Sequence, residues 1–157
     1  MFEHILIPLD GSKVSEAALP YAQKLGVGDG KKQITLVRVI ERVKGYDRVV
    51  DASKGPGGEI VSQSRSKGEQ EAHEYLGRVA KTLEDEGFKT EAQVLLGDPA
   101  EAIAFHAEHN PCDVIVMCSH GRSGAGKLTH GSVAEKVFKT TCVPLFMVRG
   151  PGCIPGL

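Results

Sequence analysis

Short apolar runs alternate with longer amphipathic stretches along this chain. Residues 5–9, 34–40, 92–96, 114–118 and 143–148 are rich in Val, Ile and Leu and are bounded by Gly, Asp, Ser or Pro, the pattern of short buried strands. Between the first two runs, Val14, Ala17, Ala18, Tyr21, Ala22 and Leu25 recur at helical spacing and form one apolar stripe. Ser12 is placed to cap that helix, Gly26 to end it and Pro20 to kink it. Ala72, Tyr75, Leu76, Val79, Ala80 and Leu83 repeat the spacing, and Gly87 stops this second helix. Asp98-Pro99-Ala100-Glu101 opens a third, with a cap, a proline at the first helical position and a Glu three residues after the cap. Gly131-Ser132 opens a fourth, carried by Val133, Ala134, Val137 and Phe138. The order β-α-β-α-β-α-β-α-β predicts an α/β domain: an open parallel sheet with helices on both faces. Proline cannot donate to a ladder, so Pro8 and Pro144 belong at strand ends or a sheet edge. Residues 41–61 contain Gly55-Pro56-Gly57-Gly58 and no period, which predicts a mobile loop, and the breaker-rich segment 150–157 predicts a flexible tail.

Composition narrows the classes. A chain of 157 residues buries enough surface for one ordinary domain, here residues 1–149, and 41% hydrophobic with 25% charged residues excludes a disordered or fibrous chain. Nineteen Lys plus Arg against twenty Asp plus Glu leave a net charge of -1, without the basic excess that nucleic-acid binding leaves. The longest apolar runs fall far short of the ~18 residues of a membrane span. Glu3 stands where a secretory signal needs basic residues, and Pro8 and Asp10 end the apolar run that follows, so the expected location is the cytoplasm. Cysteines at 112, 118, 142 and 153 form no C-x-x-C pair and read as buried or inert thiols.

Ligands of open α/β sheets bind beyond the carboxyl ends of the strands, so the strand-end loops carry the candidate chemistry. The first strand ends in Asp10-Gly11-Ser12. The fourth ends in a segment of unusual charge: from Val114 to Ala134 there is no Asp or Glu, while His120, Arg122, Lys127 and His130 supply positive or potentially positive charge. Gly121, Gly124, Gly126 and Gly131 leave backbone N–H groups free to converge, and Gly131-Ser132 stands at a helix N-terminus, where an anion is favoured. The bland alternative is a Gly-rich surface loop; the strand before it and the helix after it favour a phosphate cradle. Gly121-x-x-x-x-Gly126-Lys127 approaches a Walker A loop, but Leu128 stands where Ser or Thr must hold Mg²⁺. Asp10 either starts a turn and helps cap the next helix, or faces ribose hydroxyls or a metal, since a carboxylate repels polyphosphate. His106 and His109 share a helix face without a third ligand at suitable spacing and read as solvated helix residues rather than a metal site.

With these motifs the chain resembles the nucleotide-binding, or ATP-binding, subgroup of the universal stress protein family. That family's signature is Gly, two residues, Gly, nine residues, then Gly with Ser or Thr; Gly121, residues 122–130 and Gly131-Ser132 match its second part. Ile5-Leu6-Ile7-Pro8-Leu9-Asp10-Gly11-Ser12, Gly97-Asp98-Pro99 and Val143-Pro144-Leu145-Phe146-Met147-Val148 resemble its opening strand and turn, its turn before the third helix and its closing strand. The resemblance implies a Rossmann-like, adenine nucleotide alpha hydrolase-like sheet of strand order 3-2-1-4-5, with ATP, or AMP or ADP, bound across the ends of strands 1 and 4 together with Mg²⁺. It implies Asp10 at the ribose, the backbone of Val39 at the adenine, and Gly121, Gly131 and Ser132 at the phosphates. Pro8, Met117, Cys118, His120, Arg122 and Val133 complete the implied lining, with no catalytic residue and no protein metal ligand assigned. The signature's first Gly is Cys118 here, and a left-handed backbone at that point would cost a cysteine roughly 1–2 kcal/mol. The resemblance also implies a homodimer through the closing strand 143–148, which in this strand order is an uncharged sheet edge. The function that follows is an ATP-binding cytosolic stress-response module. The alternatives are a slow ATP hydrolase of the same fold and a stress dimer that acts on partners without a nucleotide.

Overall fold

The computed structural model describes residues 2–26, 33–40, 56–119 and 132–150. Its elements run β1 (His4–Pro8), α1 (Lys13–Glu16), α2 (Leu19–Leu25), β2 (Gln33–Ile40), α3 (Pro56–Asp85), β3 (Lys89–Leu96), α4 (Pro99–His109), β4 (Val114–Cys118), α5 (Ser132–Thr140) and β5 (Leu145–Val148). The five strands form one parallel sheet in the order β3-β2-β1-β4-β5, as the family resemblance implied.

Strand alternation divides the core into two faces. Ile5, Ile7 and Leu9, Ile34 and Leu36, and Val114, Val116 and Cys118 pack with Ala18 and Ala22 before and on α2 and with Tyr75, Leu76, Ala80 and Leu83 of α3. On the other face Leu6, Val37, Ile115 and Met117 pack with Ala100, Ile103 and Ala107 of α4 and Ala134 and Val137 of α5. Burial of both faces explains why β1 and β4 read as unbroken apolar runs.

Several boundaries move for identifiable reasons. The single stripe at 14–25 is two helices: the chain turns at Ala17-Ala18, and Pro20 sits in the first turn of α2, where its missing N–H has no helical partner to lose. β3 begins at Lys89 rather than Ala92, because an edge strand tolerates the polar Lys89, Thr90 and Glu91 that interrupt an apolar run. β5 begins at Leu145, just after Pro144, whose carbonyl accepts from Ile115 N–H at 2.8 Å. α3 starts at Pro56, inside the segment expected as a loop; proline is suited to a first helical turn. Residues 41–55, and the tail beyond Gly150, lie outside the described residues. Among the described residues no helix is long and apolar enough to cross a membrane.

At the amino edge of the sheet, Asp113 Oδ2 accepts from Glu3 N–H at 2.7 Å and from His4 N–H at 2.8 Å, tying the start of β1 to the start of β4. The bonds to these backbone N–H groups hold its carboxyl below the usual carboxylate range, the one to His4 contributing most. A group whose folded pKa is depressed contributes stability above its unfolded pKa, near 3.9, that is lost as pH falls through the folded value. The urea midpoint should therefore hold from pH 7 to 5 and decline below about pH 4, and Asp113→Asn should have a flatter acid limb than wild type. An identical acid limb in the variant would show that the bond does not contribute.

Candidate functional site

The crevice lies where the central strands part. Pairing of β1 with β4 runs over Ile5↔Val114 and Leu6↔Ile115, whereas β1 pairs with β2 as far as Pro8↔Val37. Leu9 N–H donates to Val37 O at 2.8 Å and Asp113 N–H to His4 O at 2.9 Å, so odd residues of β1 face β2 and even ones face β4. Pro8 therefore withholds its donor on the β4 side, and the sheet opens between β1 and β4 just beyond Leu6. β1 leads into helices on one face and β4 into α5 on the other, the switch point at which open α/β sheets bind ligands. Proline thus lies at the end of the central strand rather than at a sheet edge.

β2 outruns β1. Arg38, Val39 and Ile40 continue to pair with β3 after β1 has ended, at Val94, Leu95 and Leu96. Val37 presents its carbonyl to β1, and Val39, two residues on, turns its backbone groups to the same side. A donor and an acceptor therefore face the crevice from the strand end.

The turn after β1 is held by its own side chains. Ser12 N–H donates to Asp10 Oδ1 at 2.8 Å, and Asp10 N–H donates to Ser15 Oγ at 3.3 Å. Ser12 Oγ caps α1 by accepting from Ser15 N–H at 3.2 Å, while Ser15 Oγ–H donates to Ser12 O at 2.8 Å. Gly11 between them has φ +87°, a conformation that L side chains rarely adopt. Asp10 thus has the turn-forming contact that the sequence allowed, with its half-buried carboxylate at the strand end.

From β4, Met117 is buried on the α4 and α5 face, and Cys118 is buried on the opposite face with its thiol 3.9 Å from Ser15 O. Burial raises the Cys118 pKa, which keeps the group a thiol that can donate this weak bond. No described non-glycine residue has a positive φ, so the left-handed strain considered for Cys118 does not arise. Glycine at 118 would remove a buried side chain and relieve nothing. Cys118→Gly should lower unfolding stability by about 1–3 kcal/mol in urea titration. A variant more stable than wild type would show hidden strain.

Val133 on α5 is half-buried against the α4 and α5 cluster, and Ser132 is the first residue of that helix. His120, Gly121, Arg122 and Gly131 lie outside the described residues. Of the described candidates, Pro8, Asp10, Val39, Met117 and Cys118 stand at the carboxyl ends of β1, β2 and β4. Sequence reasoning marks Tyr75 only as part of an apolar stripe and passes over Arg38, Glu16 and Ser15, although a lone arginine inside the apolar run 34–40 is a signal that could mark the first of them.

One other expectation changes. His106 is buried rather than solvated, and burial lowers its pKa so that the ring is neutral at pH 7, whereas His109 is exposed and stacks on Phe105 at 3.9 Å. Of the described cysteines, Cys118 is buried, Cys112 is half-buried with its pKa pushed up to about 11 by burial, and Cys142 is exposed. Among the described residues there is no group of three or more His, Cys, Asp or Glu arranged to hold a metal.

The family model described as the universal stress protein family matches residues 1–149. The chain is 30% identical over 155 residues to universal stress protein MJ0577 of Methanocaldococcus jannaschii, covering 95% of this chain and 96% of that protein. It is 32% identical over 157 residues to universal stress protein MJ0531 of the same organism, covering 96% of this chain and 84% of that one. The solved structure of MJ0577 matches with a TM-score of 0.81 at 29% identity, over 98% of this chain and 99% of that chain. A universal stress protein family protein of Arabidopsis thaliana, solved with AMP bound, shares the fold with a TM-score of 0.66 at 14% identity, over 95% and 92% of the two chains.

Proposed function

Because the chain belongs to the universal stress protein family, we propose that it is an ATP-binding stress-response module that works as a homodimer. The observation that carries the nucleotide is the opening between β1 and β4, with Asp10 at the end of one strand and an acid-free, glycine-rich segment after the other. Each part of ATP then meets matching chemistry. Adenine offers a donor beside an acceptor, which the Val39 amide and carbonyl complement. Asp10 takes ribose hydroxyls, where a carboxylate is welcome, and stands away from the phosphates, which it would repel. The phosphates lie against Gly121, Gly131 and Ser132, with His120 and Arg122 beside them, at the N-terminus of α5. Pro8, Met117, Cys118 and Val133 form the floor, and Cys118 contributes only backbone because its thiol points to Ser15. Mg²⁺, where present, is held by the phosphates.

ATP hydrolysis is a minor property in this reading. Asp10 Oδ1 is engaged by Ser12 N–H, which suits it to hold a hydroxyl rather than to activate water. The module belongs in the cytoplasm, where ATP is abundant. Mass spectrometry of nucleotide released from mildly purified protein should find ATP, or AMP or ADP, near one per chain. A nucleotide-free protein that also gives no heat with added ATP would overturn the proposal in favour of a dimer acting on partners alone. Sustained multiple turnover would move it to the hydrolases.

A further inference from the structure

Arg38 reaches the Asp10-Gly11-Ser12 turn from β2. It stands on β2, on the same face as Ile34 and Leu36, and this directs it toward α1 and α3 rather than α4 and α5. Its guanidinium carbon lies 5.2 Å from the centre of the Tyr75 ring, a cation–π distance. Gly11 is close to it as well: a Cβ built on that glycine would lie 3.2 Å from both Cζ and Nη2 of Arg38. The guanidinium thus lies close both to an aromatic ring and to the turn that presents Asp10. The ring itself is fixed, since Tyr75 is 8% exposed and its O–H donates to Glu16 Oε1 at 2.9 Å. Burial, with Glu16 beside it, raises the Tyr75 pKa, so the hydroxyl stays protonated and remains a donor. α1, through Glu16, and β2, through Arg38, therefore meet on the Tyr75 side chain of α3.

We propose that Arg38 is a positioning residue for nucleotide binding: clamped by Tyr75, it braces the Asp10-Gly11-Ser12 turn so that the Asp10 carboxylate meets the ribose. The inference rests on the proposed ATP site and adds a residue that does not touch the reacting part of the ligand. Glycine at 11 is favoured by its φ of +87°, and a side chain added there would press on the guanidinium. The bracing also requires arginine. A flat guanidinium can lie against a ring and a peptide at once, whereas the compact ammonium of lysine cannot.

The test compares ATP with 2′,3′-dideoxy-ATP by titration calorimetry on wild type, Arg38→Ala and Arg38→Lys, together with amide exchange at residues 10–12 in nucleotide-free protein. Wild type should prefer ATP. Both variants should bind ATP about tenfold more weakly, with little change for the dideoxy compound, so that the preference collapses. Exchange at Ser12 N–H should quicken in both, because its bond to Asp10 Oδ1 loses its support. A general loss of stability would weaken both ligands alike. If Arg38→Ala keeps the wild-type preference for ATP, or if exchange at 10–12 is unchanged, the bracing role is overturned while the ATP site stands. A wild-type chain that takes up neither compound overturns both readings.

Discussion

Gly131→Val is expected to bind ATP at least roughly 30-fold more weakly than wild type, about 2 kcal/mol. Gly131 directly precedes Ser132, the first residue of α5, and α5 continues for nine residues to Thr140. The first N–H groups of a helix have no partner within it, and the helix dipole adds partial positive charge at the same point. A phosphate can use both only by approaching the backbone closely, which a glycine permits and a branched Cβ obstructs. The charge around this end agrees with that use: from Val114 to Ala134 the chain carries no acid, and Glu135, the first one after it, has its Oε1 2.6 Å from Lys139 Nζ, one turn further into the helix. Calorimetric titration with ATP reads the effect. Gly77→Val is the control, since Gly77 lies on α3 with nothing within 4 Å of an added Cβ, and it should leave the affinity unchanged. A folded Gly131→Val protein that binds ATP like wild type would sink the phosphate cradle.

Much of this architecture is legible in the chain because burial on both faces of the sheet leaves a simple trace. β1 and β4 read as unbroken apolar runs, and Asp98-Pro99 marks the start of α4, where Asp98 Oδ1 accepts from Glu101 N–H at 3.1 Å. Legibility fails at the edges and at long range. Lys89, Thr90 and Glu91 belong to a strand, yet an edge strand need not be apolar, so a search for buried runs starts it late. The same search treats Phe146 and Met147 as core, although both are exposed. His106 looks like a surface histidine because periodicity in the last turn of α4 does not say which way the neighbouring sheet lies. The Arg38 clamp joins residues 11, 16, 38 and 75 through the tertiary fold, and no local spacing connects them. At Cys118 the family signature suggested a backbone demand that the strand does not make: its residue is an ordinary member of β4.

The two edges of the sheet differ in a way that predicts the assembly. β3 carries Lys89 and Glu91, charges of the kind that discourage pairing with another chain. β5 reads Leu-Phe-Met-Val, with Phe146 38% and Met147 44% exposed and the ring of Tyr21, itself exposed, 6.2 Å from that of Phe146. Unpaired N–H and C=O groups and exposed apolar side chains thus coincide on one edge. Two-fold pairing of β5 with its copy satisfies the backbone of both strands and leaves no further edge on that side, so the assembly stops at two. Leu145 is half-buried against the α4 and α5 cluster, so lysine there would damage the fold; the exposed neighbours are the proper targets. The double substitution Phe146→Lys with Met147→Lys should bring like charges together across the axis, at a cost of several kcal/mol. Wild type should sediment as a dimer at micromolar concentration and the double variant as a folded monomer, with its far-ultraviolet dichroism unchanged. A monomeric wild type, or a variant that remains dimeric, would remove β5 as the interface.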